Sequence, residues 1–174
     1  MFQLPIRTLD SEHSTGSAEL GQLPDWNLND LYTATDAKEL IRDLNWLEKE
    51  CNEFAKSYEG KLHTLSDKEM LTCIVRNEKI SSISGRIISY AGLLYYQKTT
   101  DADRAKFLSD MQEKITVFTT KLVFFSLEIN SLEDEFLDKL FTKNDQLARY
   151  KPVFEKIRAM TVSYTHLTLP TKSS

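Results

Sequence analysis

Histidine, cysteine and carboxylate side chains are the groups in this chain able to hold a metal or move a proton, so their spacing comes first. There are three histidines, His13, His63 and His166. A helix that offers two imidazoles to zinc needs them four residues apart, as in an HExxH motif, and no two of these histidines stand so. His13 lies in a polar leader and His63 in a turn after Gly60, and both read as solvated loop residues. The two cysteines, Cys51 and Cys73, give no disulfide framework and read as reduced thiols. Cys73, inside "LTCIV", is expected to be a small core residue, since nothing close in sequence would depress its pKa. Neither a glycine-rich phosphate loop nor a nucleophile elbow is present. Glu128, in the apolar run "VFFSLEIN", is the most unusual carboxylate. It is expected to form a salt bridge or hydrogen bond to a neighbouring helix, contact with a peptide or partner being the alternative. The carboxylates of "SLEDEFLDK" read as a solvated face, and Tyr90, Tyr95 and Tyr96 as core aromatics. From these residues alone we assign no catalytic, cofactor-binding or metal-binding position.

The elements around these groups are helical. Asp36 and Glu39 have capping-box spacing, in which the two side chains satisfy the free amides of a first turn. Leu40, Leu44, Leu47, Cys51, Phe54 and Tyr58 then recur at steps of four and three, which puts them on one face. Gly60 follows as the stop. Ser66 and Glu69 repeat the capping signal, and Met70, Ile74, Ile80, Ile83, Ile87 and Leu94 carry a second helix to about Gln97. Gly85 and Gly92 interrupt it. A mid-helix glycine costs about 1 kcal/mol against alanine, and close approach of a neighbouring helix is the expected compensation, a ligand touching the backbone being the alternative. Thr100 or Asp101 caps a third helix, with Leu108, Met111, Ile115, Phe118, Leu122, Phe125 and Ile129 at steps of three and four. At 1.5 Å per residue the second and third helices should each run roughly 45 Å. Their short connection makes them an antiparallel hairpin with the first helix alongside. Shorter helices are expected at "LEDEFLDKLF" and, interrupted by Pro152, at "DQLARYKPVFEKIRAM". The stripes carry Phe, Tyr and Met rather than a strict aliphatic seam, so an intramolecular all-α bundle is preferred to a dimeric coiled coil.

Composition agrees with that class. Of 174 residues, 41% are hydrophobic and 28% charged, with five glycines and four prolines, too few for a loop-rich β fold. The net charge of −4, with both signs interleaved, argues against nucleic acid or an anionic membrane as the main partner. The N-terminus does not read as a signal peptide, and no stretch approaches the ~20 apolar residues of a membrane span. A cytoplasmic, soluble protein is the expectation. We divide the chain into a flexible leader, 1–24, a helical domain, 25–160, and a tail, 161–174. Within the domain, "LPDWNLNDLY" is expected to pack as an extended segment anchored by Leu23, Trp26, Leu28 and Leu31.

Three stretches in order, "LPDWNLNDLY", "SYAGLLYYQKTTDADRAKF" and "VFFSLEIN", together with "LARYKPVFEKIR", resemble the N-terminal region of the oligoendopeptidase F family. These are zinc metallopeptidases related to thimet oligopeptidase, and the likeness runs from about Leu23 to Met160. It implies a cytoplasmic hydrolase that cuts oligopeptide substrates within their length. In the family an HExxH helix and a later glutamate bind zinc in a downstream catalytic portion, and the N-terminal helices wall a channel that admits short peptides. No metal or catalytic residue carries over to this sequence. The resemblance therefore implies the channel wall, truncated before its catalytic domain, inactive alone and binding no zinc itself. The tail reads differently. "VSYTHLTLPT" looks like the translation of a transposase-derived sequencing adapter, an origin that gives His166 no functional weight, a natural Thr-rich terminal loop being the other reading. Lacking apolar period and capping, the tail is expected to be disordered, and the natural protein to continue beyond about Thr161. The alternative is a stand-alone helical-bundle interaction module without enzymatic activity.

Overall fold

The computed structural model describes residues 26–167, with backbone alone from 160 onward. The leader thus lies outside the described residues, as does Leu23. Among the described residues there are seven α-helices, one short 3-10 turn and no strand. They are α1 (Lys38–Tyr58), α2 (Asp67–Gln97), α3 (Ala102–Thr120), α4 (Val123–Ser131), α5 (Asp134–Lys143), α6 (Asp145–Ala148) and α7 (Lys151–Leu167), with the 3-10 turn at Leu62–Thr64. The fold is all-α. α1, α2 and α3 run antiparallel in succession and pack on one another, α4 packs on α7, and α5 and α6 pack on α2.

The core follows the predicted stripes. Leu40, Leu47, Cys51 and Phe54 of α1 meet Met70, Cys73, Ile74, Ile80 and Ile87 of α2, all buried. Ser66 and Glu69 form the capping box of α2: the Glu69 carboxylate accepts from the Ser66 amide at 2.9 Å, and the Ser66 hydroxyl accepts from the Glu69 amide at 3.4 Å. Gly60 ends the first helix with φ at +76°, a conformation that side chains disfavour.

Other expectations need correction. α1 starts at Lys38 behind Ala37, with no side-chain cap, so Asp36 and Glu39 form no capping box. Ala37 is itself buried and donates to the Ala34 carbonyl at 3.2 Å, so a packed turn sets the start of the helix. The segment before it is not extended. Leu31 and Tyr32 both donate to the Leu28 carbonyl, and Trp26 is 52% exposed rather than an anchor. Leu28 and Leu31 do pack against the core, but the fully buried residue is Tyr32.

The third helix does not run 45 Å. It breaks at Lys121 and Leu122, leaving α3 with 19 residues and α4 with nine. The hydroxyls of Thr119 and Thr120 donate to the carbonyls of Ile115 and Thr116 at 2.8 and 2.7 Å, and such back-bonding weakens the last turn of a helix. The break lets Phe124 and Phe125, which are adjacent in sequence, both reach Phe54, with ring centroids 6.1 and 5.6 Å away.

No neighbouring helix approaches Gly85, since a Cβ there would have nothing within 4 Å, and at Gly92 the nearest atom belongs to Tyr96 of the same helix, at 3.7 Å. The core side of α2 is taken by Ile80, Ser84 and Ile87, which turns Gly85 to the exposed side. At the other end of the fold, α6 stops at Ala148 and Pro152 falls in the first turn of α7, where its missing amide costs little. α7 then continues to Leu167, into the segment expected to be disordered. No glycine or proline intervenes before Pro170, and extending a formed helix is far cheaper than starting one.

Candidate functional site

The groove between α1 and α2 gathers three cationic side chains around one buried carboxylate. On α1, Arg42 and Trp46 are one turn apart, with Asp43 turned inward beside them. On α2, Lys79, Ile83 and Arg86 fall at steps of four and three and face them because the two helices are antiparallel. These six residues line a surface cavity of about 300 Å3.

Its floor is a closed hydrogen-bond network. Asp43 is 5% exposed, unusual for a carboxylate, and is held by four hydrogen bonds from three residues. The Tyr32 hydroxyl donates to its Oδ2 at 2.9 Å, and Arg86 Nη2 donates to the same oxygen. Arg42 Nε and Nη2 donate to Oδ1 at 3.3 and 3.2 Å. Arg86 also donates through Nε to the Tyr32 oxygen at 3.0 Å, with its guanidinium 5.1 Å from the centre of the Tyr32 ring. Burial first, then the bond to Asp43, push the Tyr32 phenol up to about 12. Lys79 has no acidic partner among the described residues and rests its ammonium over the Trp46 ring at 4.7 Å. Three cations thus surround one carboxylate already bonded to Tyr32 and two arginines, and the rim carries excess positive charge in a chain of net charge −4.

Tyr32, Asp43 and Arg86 were not singled out in the sequence. The signal available was Asp43 itself, one step from the Leu40–Leu44–Leu47 stripe and therefore at the edge of the buried face.

The singled-out residues lie elsewhere. Glu128 accepts from the backbone amides of Gly60 at 2.6 Å and Leu62 at 3.2 Å, so it is hydrogen-bonded as expected, to the turn after α1 rather than to a helix. Tyr90 is buried, whereas Tyr96 is 64% exposed and leans on Tyr95 with centroids 5.5 Å apart. His63 is exposed in the 3-10 turn, His13 is outside the described residues, and His166 falls in the backbone-only part of α7. Cys51 and Cys73 are buried free thiols whose pKa values burial pushes up to about 11 and about 12. Among the described residues no three His, Cys, Asp or Glu side chains come together as a metal would require, so we derive no step through zinc on this part of the chain. No described helix is long and apolar enough to cross a membrane. No family model matches this chain, nor does any curated protein or solved structure.

Proposed function

We propose that this chain is the N-terminal, substrate-channel portion of a cytoplasmic zinc-dependent oligoendopeptidase, whose catalytic HExxH domain lies in sequence beyond it. The reading starts from the ordered resemblance of "LPDWNLNDLY", "SYAGLLYYQKTTDADRAKF", "VFFSLEIN" and "LARYKPVFEKIR". The observation in the structure that supports it best is the open face of α2. There Ser82, Gly85 and Ser89 stand exposed between Val75, 44% exposed, and Tyr96, 64% exposed. Small residues with apolar neighbours suit close packing of a further element. Val123 and Leu127, one turn apart on α4, are more than half exposed and extend the same argument. Under this reading "VSYTHLTLPT" is adapter-encoded and the natural reading frame differs after about Met160.

The test is to sequence the source DNA beyond the codon for Met160. A long open frame encoding HExxH and a later glutamate is expected, and a nearby stop codon would replace this reading with the stand-alone interaction module. The purified chain should hydrolyse no internally quenched oligopeptide with or without added zinc, so zinc-dependent turnover would refute the assignment of catalysis to a downstream domain.

A further inference from the structure

We propose that the cavity between α1 and α2 is a carboxylate-binding site, in which Arg42, Lys79 and Arg86 take the anion and Trp46 and Ile83 take an apolar group beside it. Three features carry this. First, the Arg86 guanidinium is fixed in advance: Tyr32 and Asp43 occupy Nε and Nη2, and Nη1 has no acceptor among the described residues. A guanidinium already locked by packing and hydrogen bonds loses little freedom when it takes a further oxygen. Second, the Lys79 ammonium, over the Trp46 ring, can swing onto an anion without breaking an ion pair. Third, Asp43 offsets only one of the three rim cations, so the group it forms with Arg42, Lys79 and Arg86 keeps a net positive charge. The cavity, about 300 Å3, is at the small end of ligand sites and suits a single amino-acid residue with a free carboxylate. Free acids and peptide C-termini share this chemistry. The inference stands on the cavity alone and does not depend on the peptidase reading.

The experiment uses the whole chain carrying Trp26→Phe, which leaves Trp46 as its one tryptophan. Trp26 is 52% exposed, so this change should not disturb folding. Trp46 emission is followed at low ionic strength during titration with N-acetylphenylalanine, N-acetylphenylalanine amide, inorganic phosphate, and a tetrapeptide ending in phenylalanine. Saturable binding of the free acid and not of the amide is the expected result. Lys79→Gln and Arg42→Gln, both at exposed positions, should each weaken binding by about tenfold while leaving the far-ultraviolet circular dichroism unchanged. A tetrapeptide that binds more tightly than the free acid would assign the cavity to peptide C-termini, and equal affinities would assign it to free acids. Equal binding of acid and amide, binding of phosphate alone, no saturation by any probe, or full binding by a folded Lys79→Gln, Arg42→Gln double variant would each overturn the proposal.

Discussion

Asp43 meets Arg86, 43 residues further along the chain, and Glu128 meets Gly60, 68 residues back. Both carboxylates hold distant segments together, but their partners are of different kinds. Asp43 is buried and bound by a phenol and two guanidinium groups, of which that of Arg86 braces α1 against α2. Glu128 is only partly buried and takes two backbone amides in the turn between those helices, binding α4 to a tight bend. Charged partners leave surplus donors at the surface, on Arg86 and beside it on Lys79. Amide partners leave none. A charged brace can therefore double as a binding surface, while a carboxylate used up on backbone is architectural.

The largest effect should come from Asp43→Ala. Losing one partner of a buried ion pair costs about 3–5 kcal/mol, but Arg86 is 39% exposed and can rehydrate, so we expect about 2–3 kcal/mol in urea denaturation. Glu128→Ala should cost less, about 1–2 kcal/mol, because the freed amides lie near solvent. Glu128→Gln, which keeps an acceptor, should cost less again. If Glu128→Ala proved the more damaging of the two, the contrast between brace and turn would be reversed. Gly85→Ala touches neither carboxylate and should raise stability by about 0.5–1 kcal/mol, since its side of α2 has room for a methyl group. A loss at that position would show that α2 is covered in solution.

The last prediction concerns alkaline pH. The Tyr32 phenol is raised from 10 to about 12, so the stability that this shift contributes is intact below pH 10 and lost as pH rises towards 12. A difference titration at 295 nm between the parent chain and Tyr32→Phe should show one phenol ionising late. A Tyr32 that ionises with ordinary tyrosines would contradict both its burial and its hydrogen bond to Asp43.

Features that depend on a few consecutive residues were legible in the sequence. Ser66 and Glu69 are three positions apart and cap α2 with each other, so no distant contact is needed to form the box. Asp36 and Glu39 carry the same spacing and do not cap, because burial of Ala37 sets where α1 starts. Gly85 shows the other limit. Its small size is visible in sequence, whereas whether it faces a helix or solvent depends on which arc of α2 the neighbours occupy. The break after Thr120 escaped for a related reason: Leu122, Phe125 and Ile129 keep the helical step across it, and periodicity cannot register a change of axis.

The sequence by itself determined an all-α chain, the apolar faces of its long helices, the capped start of α2 and the stop at Gly60. Each follows from side chains within a turn or two of one another. Tertiary structure alone decided that Tyr32, Asp43 and Arg86 share one network, that Glu128 binds the Gly60 turn, and that Lys79 faces Trp46 across a groove. Those pairings need antiparallel helices brought into register by the burial of Leu47, Phe54, Ile74 and Ile80. Hydrophobic burial has no direction of its own, so only the packed whole specifies which polar groups meet.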